Sequence, residues 1–384
     1  MARWDVIVIG AGPAGSTAAR DLARGGARVL LIDRAAFPRY KACGGGIAIR
    51  TERLLPFSIE QVVEASVSMV QLRYGGDARV SRDAGGPFAR MVMRDRFDAL
   101  LVEEALKAGV ELRAETTVRA VSSDSSGARV FADGFEAASG FVIGADGANS
   151  AVARSAGLAQ ETYECAAWEA ELRVPARMSR ALRDTCVLGL GYRPWGYAWA
   201  FPKDERLSIG VVLPGGQGGA LKSATAEFIR ELGFGGADIE RAQGHKVRSR
   251  RGGEPIAADH LALVGDAAGL ADEFTQEGIF YAVRSGQLAA GATLDALSGG
   301  GSLRPYERAV DMEIMPELKA ARLVGYMFYG MLRRLGGAWL RAAQPLGFLW
   351  ESFFAAQRGD SSYEWALARA PWLAKAASAR IARQ

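Results

Sequence analysis

DVIVIGAGPAGSTAARDLARGGARVLLID, residues 5–33, is the stretch that decides the fold. An apolar run ends in a glycine-rich turn, a helical segment follows, and a second apolar run stops at Asp33, which is the order of a βαβ unit. Gly10 permits the tight turn, Gly12 leaves room for a pyrophosphate against the backbone, and Gly15 lets the helix pack closely on the sheet. Asp33 lies 18 residues after Gly15, near the spacing at which an acid binds a ribose hydroxyl. The stretch predicts a dinucleotide site at the start of the first helix.

Composition excludes several classes of protein. The 384 residues suffice for two domains, and 49% of them are hydrophobic, which indicates a globular protein. A formal net charge of +4 without long runs of like charge argues against a nucleic-acid partner. Three widely spaced cysteines form no zinc pattern, so neither a metal site nor a disulfide scaffold is expected. With no apolar stretch near the ~18 residues of a bilayer span and no signal peptide, we expect a cytoplasmic protein that at most lies on the inner face of a membrane.

Two later turns repeat the pattern of an apolar strand followed by glycine and an acid. The first is Gly144-Ala-Asp146-Gly147, and the second contains Gly265 and Asp266. An acid in the second place can accept hydrogen bonds from a polyhydroxyl chain such as ribityl. Gly278 precedes the next helix, whose backbone N–H groups would suit a flavin carbonyl that carries negative charge. The three turns together indicate one flavin nucleotide.

The alternating segments between residues 160 and 250 predict an antiparallel sheet. Tyr197, Trp199 and Phe201 fall on one face of a predicted strand, and the alanines between them fall on the other. Three rings in a row form a flat apolar wall suited to a polyprenyl chain. An aromatic ladder that fills an ordinary sheet core has the same pattern, so both interpretations stay open.

As a set, GxGxxG, the following acid, the ADG turn and GDAAG resemble the FAD-binding motifs of the p-hydroxybenzoate hydroxylase-like flavoproteins. The resemblance spans residues 4 to about 295. It implies FAD as the cofactor and an α/β fold, in which a dinucleotide-binding FAD domain carries an inserted antiparallel β-sheet substrate domain and a C-terminal helical region. The implied cofactor-binding residues are Gly10, Gly12, Ala14, Gly15, Asp33, Arg34, Cys43, Gly44, Arg94, Asp146, Gly265, Asp266, Gly278 and Ile279.

The three turns and the alternating segments also predict the domain boundaries. The FAD domain is expected over residues 1–60, 90–158 and 245–298. The substrate sheet is expected over 61–89 and 159–244. The helical region is expected over 299–384.

Within that group, CGGG at residues 43–46 and YAWAFP at residues 197–202 are similar to motifs of the geranylgeranyl reductase family, which saturates isoprenoid double bonds. Halogenases of the same superfamily carry a related Trp-x-Trp-x-Ile-Pro stretch, but Tyr and Phe at the flanking positions favour the reductase. The implied substrate-binding residues are Gly45, Gly46, Tyr197, Trp199, Phe201 and Pro202.

The resemblance also implies the chemistry. Reduced flavin would deliver hydride from N5 to the alkene, and Cys43 or an ordered water would supply the proton. A lone cysteine among glycines is also often a small buried residue. Electrons would come from NAD(P)H or ferredoxin, the latter an electron-donor protein. Two alternatives stay open: a flavin monooxygenase or halogenase acting on an aromatic or apolar molecule, and a flavoprotein that only binds.

Several residues allow two interpretations. Arg94 matches an arginine that lines the cofactor cleft, but a solvated arginine at a helix start fits as well. His245 and His260 are the only histidines, and structural roles are favoured for both. The aromatic C-terminal segment predicts either helices that cap the substrate domain or a membrane-facing surface with Arg333, Arg334 and Arg341 near lipid head groups.

Overall fold

The computed structural model describes residues 4–75, 78–158, 162–175, 181–192, 195–215 and 218–369. Its strands are β1 (Trp4–Ile9), β2 (Val29–Ile32), β3 (Gly46–Ala48), β4 (Val63–Val67), β5 (Met69–Tyr74), β6 (Ala78–Asp83), β7 (Ala89–Val92), β8 (Glu111–Arg113), β9 (Val118–Asp124), β10 (Gly127–Ala132), β11 (Phe135–Gly144), β12 (Tyr163–Arg173), β13 (Thr185–Leu190), β14 (Tyr197–Pro202), β15 (Arg206–Pro214), β16 (Asp238–Ser249), β17 (Ala257–Ala258) and β18 (Leu261–Leu263). Its α-helices are α1 (Pro13–Arg24), α2 (Ile49–Glu52), α3 (Arg94–Lys107), α4 (Ala151–Ser155), α5 (Gly218–Glu231), α6 (Ile279–Gly299), α7 (Arg304–Glu313), α8 (Met315–Leu335), α9 (Gly337–Ala343), α10 (Gly347–Arg358) and α11 (Tyr363–Ala368). Short 3₁₀ turns lie at Glu60–Val62 and Gly265–Ala268.

The first sheet holds the predicted βαβ unit at its centre. Its strand order is β17-β18-β11-β1-β2-β8, and the β9–β10 hairpin is attached through β11. β1 pairs in parallel with both β2 and β11. Val6, Ile7 and Val8 are fully buried because parallel strands are covered on both faces. The dinucleotide turn therefore lies at the carboxyl edge of a buried parallel sheet, where α/β proteins bind their ligands.

A second sheet has seven strands in the order β16-β12-β15-β14-β13-β5-β6. β14 and β15 form the expected antiparallel hairpin. The expectation of a wholly antiparallel sheet is wrong at one pair, because β13 runs parallel to β5. The chain between β5 and β13 passes through much of the first sheet. No tight turn therefore forces these two strands to be antiparallel.

The sheets also differ from the expected boundaries in two places. β4 comes from the block assigned to the substrate sheet, but it pairs with β7, which begins at the last residue of that block, in a separate three-stranded sheet of order β3-β7-β4. β16 belongs to the seven-stranded sheet along its whole length, so this sheet continues past residue 244 to Ser249. Apolar alternation identifies a strand but not its partner, which explains both differences.

The chain from residue 304 to 368 is mostly helical. The part of the predicted helical region beyond residue 369 lies outside the described residues. Tyr329, Leu332 and Trp350 pack with Val70 and Val80 of the seven-stranded sheet in one apolar cluster. The helices thus cover one face of that sheet. Within the described ranges, no helix combines the length and the apolarity that crossing a bilayer requires.

Candidate active site

One cavity of about 1820 Å³ joins the dinucleotide turn to the C-terminal helices. At one end it is lined by Gly10, Gly12 and Asp33 of the first sheet. At the other end it is lined by apolar side chains of the helices, including Phe328 and Trp350. A nucleotide end and an apolar end therefore share one continuous space, and the glycine loop of residues 43–46 lines the same space.

The first turn has the geometry that its glycines predict. Gly10 has φ +99°, and a Cβ there would lie 2.3 Å from the carbonyl oxygen of Ala145. A Cβ on Gly15 would lie 1.8 Å from the Gly10 carbonyl oxygen, so only glycine allows α1 to approach the turn. Gly15 itself does not line the cavity, in keeping with a packing role, whereas Ala14 does.

Asp33 lies at the end of β2 and lines the cavity beside Arg34. Its Oδ2 accepts the Ala11 N–H at 2.7 Å, and its Oδ1 accepts the Ala35 N–H at 2.9 Å. Each carboxylate oxygen has a second lone pair available. The two backbone bonds thus hold the acid in place and leave it able to bind ribose hydroxyls.

Asp266 has two cationic or polar neighbours that the motif did not predict. Lys41 Nζ is 3.6 Å and His245 Nε2 is 3.4 Å from Asp266 Oδ2. Burial alone would raise the pKa of the Asp266 carboxyl, but Lys41 and His245 hold it well below its usual range. The charge of Lys41, together with burial, lowers the pKa of His245. Asp266 is therefore an ionised acceptor at the cavity wall.

Helix α6 begins at the same place. A Cβ on Gly278, the residue before the helix, would lie 3.4 Å from Asp266 Oδ1. Gly278 and Ile279 both line the cavity, whereas Gly265 lies behind it. The first turn of α6 carries no acidic residue, but the Glu277 carboxylate just before it accepts the Phe280 N–H at 2.6 Å.

Asp146 lines the cavity and also holds the start of α4 in place. Its Oδ1 accepts the Ser150 hydroxyl, and its Oδ2 accepts the backbone N–H of Ala151 at 2.7 Å. The carboxylate therefore caps α4. The turn that it stabilises lines the cavity beside Arg154.

Cys43 and Arg94 both line the cavity. Arg94 is 4% exposed and makes a two-pronged ion pair with Asp98, at 2.8 Å for each bond. Burial would lower the pKa of Arg94, but the charge of Asp98 raises it. The Cys43 sulfur accepts the Gly45 N–H at 3.4 Å.

The glycine loop packs against the aromatic strand. A Cβ on Gly44 would lie 2.7 Å from Cδ2 of Phe201 and 3.0 Å from Nε1 of Trp199. A Cβ on Gly46 would lie 3.4 Å from Cε2 of Phe201. The two motifs that carried the family resemblance, more than 150 residues apart in the chain, are thus in direct contact.

The aromatic strand presents its rings as the alternation predicts. Tyr197, Trp199 and Phe201 line the cavity, and the alanines between them pack in the core behind the sheet. Pro202 is not among the cavity residues, because it follows Phe201 and faces the opposite side. Gly45 lines the cavity as well, with φ +72° and no room for a Cβ against the Val92 carbonyl.

The sequence interpretation missed two residues of this site, Lys41 and His245. His245 was expected to be structural, but its ring lies in the cavity. His260 does have a structural contact, with its Nδ1 3.0 Å from the Gly140 carbonyl oxygen. The only signal for His245 was its place on an alternating strand, which leaves the identity of its partners open.

The residues present fit FAD. Gly10 and Gly12 line the cavity at the N-terminus of α1, and Asp33 lines it beside them. Nε1 of Trp199 is buried beside Gly44 without a hydrogen-bond partner among the described residues. A ligand at that wall would give this donor an acceptor, since orphan buried donors are rare.

Comparison with known proteins agrees with this geometry. The FAD binding domain family model matches residues 3–186. A geranylgeranyl diphosphate reductase of Rhodobacter capsulatus is 33% identical over 318 residues, covering 78% of this chain and 77% of that protein. A digeranylgeranylglycerophospholipid reductase of Methanosarcina acetivorans is 31% identical over 319 residues, with 77% and 76% covered.

Solved structures show the same fold. A geranylgeranyl bacteriochlorophyll reductase-like protein of Thermoplasma acidophilum matches with a TM-score of 0.81 at 24% identity, covering 97% of this chain and 99% of that one. A flavin-dependent brominase matches with a TM-score of 0.79 at 19% identity, over the full length of both chains. The solved structures thus include both a reductase-like protein and a halogenase, but the two sequence relatives described above, each more than 30% identical, are both geranylgeranyl-type reductases. The chain therefore belongs to the geranylgeranyl reductase family and is an FAD-dependent oxidoreductase.

Proposed function

We propose that this protein reduces carbon–carbon double bonds in an isoprenoid chain of the geranylgeranyl type. The observation that carries the proposal is the contact between the glycine loop and the aromatic wall. Gly44 and Gly46 let the loop lie directly on Trp199 and Phe201, so the cofactor end of the cavity opens onto an apolar surface. The names of the sequence relatives support the same substrate class.

The apolar half of the cavity suits a polyprenyl chain. Val70, Leu72 and Leu188 of the seven-stranded sheet face helical residues such as Phe328 and Trp350 across it. A polyprenyl chain has no hydrogen-bonding group to satisfy and gains from removing its surface from water. This part of the cavity is therefore selective for an apolar chain rather than for a polar molecule.

When bound, reduced FAD supplies the hydride that an unactivated alkene requires. The chain's own residues would hold the cofactor through Gly12, Asp33 and Asp266 and would manage the proton. Cys43 lines the cavity, and its sulfur accepts the Gly45 N–H at 3.4 Å. We infer that its S–H faces the alkene or an ordered water and supplies the second hydrogen. NAD(P)H or ferredoxin would return electrons to the cofactor.

The test is a product assay. Protein reduced anaerobically with dithionite is incubated with geranylgeranyl diphosphate or with a digeranylgeranyl glycerophospholipid in detergent, and the products are analysed by mass spectrometry. We expect a mass gain of two hydrogens for each bond reduced. Cys43→Ser should slow this step while FAD content is unchanged. Complete absence of saturated product from both substrates contradicts the proposal.

The halogenase or monooxygenase alternative shares the cofactor site but differs in its use of oxygen. Peroxyflavin chemistry consumes oxygen with turnover, whereas alkene reduction works best without it. An oxygen electrode run with and without the prenyl substrate separates the two. Oxygen consumption that is stoichiometric with a modified aromatic product would favour the alternative.

We further propose that the cavity mouth rests on an anionic membrane. Leu346 and Phe348 are 46% and 45% exposed and line the cavity. Arg333, Arg334 and Arg341 lie on the adjacent helix ends and are exposed. Apolar residues rimmed by arginines are typical of surfaces that bind anionic lipid head groups.

Vesicle sedimentation tests this surface. We expect binding to phosphatidylcholine vesicles that contain phosphatidylglycerol, and about tenfold weaker binding for Phe348→Ser, since partial burial of one large apolar side chain is worth about 1.5 kcal/mol. Met312→Ser is the matched control, because Met312 is 72% exposed but does not line the cavity. Equal binding by all three proteins contradicts the proposal.

A further inference from the structure

An acidic side chain lies on the cavity wall at the start of α6. Glu277 directly precedes Gly278 and Ile279, and all three residues line the cavity. The N–H groups of Gly278 and Ile279 have no hydrogen-bond partner among the described residues. Glu277 Oε1 accepts the N–H of the next residue, Phe280, at 2.6 Å. A negative charge therefore stands against the helix end that would bind a flavin carbonyl, and it opposes the positive potential of that end.

A hydrogen bond and an ion pair hold Glu277 ionised. Its Oε2 lies 3.0 Å from Nη2 of Arg50, which is 5% exposed. One carboxyl oxygen thus accepts a backbone N–H of α6, and the other accepts a guanidinium N–H. This is the pattern of an ionised acid, because a protonated carboxyl needs an acceptor and neither partner is one. Glu277 is therefore a carboxylate, and Arg50 is its counter-ion.

The counter-ion is shared with a second buried carboxylate. Arg50 Nη1 lies 3.2 Å from Oε1 of Glu317 on α8. Asp272, in the loop before α6, is fully buried as well, and its oxygens accept three hydrogen bonds from that loop. Within the described ranges, neither a lysine nor a second arginine forms an ion pair with Glu277, Glu317 or Asp272. One positive charge therefore stands against three negative charges near the start of α6.

The sign of this charge matters to a flavin, because reduction gives the flavin ring negative charge. Nearby positive potential favours the reduced form, whereas nearby negative charge disfavours it and lowers the reduction potential. A flavin of lower potential is a stronger hydride donor once it has been reduced. That property suits an isolated alkene, which has no neighbouring group to polarise it and accepts hydride poorly.

We propose that Glu277 lowers the reduction potential of the bound FAD and so strengthens it as a hydride donor, a role that rests on the proposed function. Arg50 and Glu317 are not among the cavity residues, so Arg50 balances Glu277 from the side away from the cofactor and leaves its charge effective in the cavity. In the reaction the alkene gains a hydride, with both electrons, from reduced FAD and a proton at its other carbon, and FAD is left oxidised. Glu277 stays ionised throughout and acts only through its charge.

A spectroelectrochemical titration of the FAD-bound protein, without any prenyl substrate, tests this role. Glu277→Gln removes the charge and keeps an oxygen that can accept the Phe280 N–H. Its midpoint potential should be higher than that of wild-type protein by about 30 mV, which is a tenfold change in the equilibrium constant of a two-electron couple. Glu317→Gln is the matched control, because it takes the same charge from the same guanidinium at a residue that is not among the cavity residues. Its shift should be clearly smaller.

An unchanged or lower potential in Glu277→Gln overturns the proposal, and so does an equal shift in Glu317→Gln. Both variants should fold, because Arg50 keeps one carboxylate partner in each. Thermal unfolding separates a structural role from an electrostatic one. If Glu277 were only structural, Glu277→Gln would unfold at a lower temperature while its potential stayed at the wild-type value.

Single-turnover reduction of geranylgeranyl diphosphate connects the potential to the reaction. After reduction with dithionite, Glu277→Gln should form saturated product more slowly than wild-type protein, and Glu317→Gln should stay closer to the wild-type rate. A rate in Glu277→Gln equal to or above that of wild type overturns the link between this charge and hydride donation. No product from wild-type protein overturns the proposed function, but it leaves the measured potentials, and with them the effect of Glu277 on FAD, standing.

Discussion

Adding one methyl group at Gly44 tests the contact on which the proposed function depends. The Cβ of Gly44→Ala would lie 2.7 Å and 2.8 Å from two carbons of the Phe201 ring and 3.0 Å from the Trp199 nitrogen. Because carbon atoms in good contact are about 3.5–4.0 Å apart, the rings or the loop must move by roughly 1 Å. Overpacking of this size destabilises a core by about 1–3 kcal/mol. We expect that loss in the free energy of unfolding, together with a raised KM for the prenyl substrate.

Gly46→Ala is the graded control in the same loop. Its Cβ would lie 3.4 Å from the Phe201 ring, so a shift of a few tenths of an ångström suffices, and we expect a loss below about 1 kcal/mol. Denaturant unfolding of the FAD-loaded proteins measures the first effect, and steady-state reduction measures the second. If the two variants are equally stable and equally active, the loop does not pack on the aromatic wall as described.

One further substitution tests the nucleotide end of the site, and another tests a buried ion-pair network centred on Arg50, which lies outside the cavity wall. Asp33→Asn replaces a carboxylate oxygen that accepts a backbone N–H, at 2.7 or 2.9 Å, by an amide nitrogen that donates. The free energy of FAD binding, measured by fluorescence titration, should therefore weaken by about 1–3 kcal/mol. Unchanged affinity would exclude Asp33 from the site. Arg50→Met leaves Glu277 and Glu317 without the buried guanidinium that contacts them at 3.0 and 3.2 Å. We expect the free energy of unfolding to fall by about 3–5 kcal/mol and the C-terminal helices to be proteolysed faster. Arg53→Met, at an exposed ion pair, should change neither quantity.

The sequence predicted the nucleotide half of the site well, because its signals are local. Gly10, Gly15 and Asp33 act through turn geometry and close packing within one βαβ unit, and the spacing along the chain determines both. The motif alone therefore predicts most of the geometry of the nucleotide site. The same holds for the alternation of Tyr197 and Trp199, since strand periodicity alone assigns their face.

The residues that were missed depend on contacts between distant segments. His245 lies beside Asp266 only because β16 joins the seven-stranded sheet next to the first sheet. Glu169 and Glu171 have the alternation of a solvated strand face, yet they are buried because Lys203 and Tyr40 reach them from other segments. Periodicity reports that such residues share a face, but the partners that determine their charge state come from the tertiary fold.

The parallel pair β5–β13 has a consequence for how the protein is made. As the chain leaves the ribosome, β5 and β6 emerge long before β13, and the seven-stranded sheet is complete only with β16, at residues 238–249. The first sheet also waits, for β18 at residues 261–263. Two thirds of the polypeptide must therefore be synthesised before either sheet closes, and the early strands leave apolar edges uncovered during that time. We expect nascent chains to need chaperone protection until residue 263 is exposed, and truncations before that point to aggregate rather than to yield a separate domain.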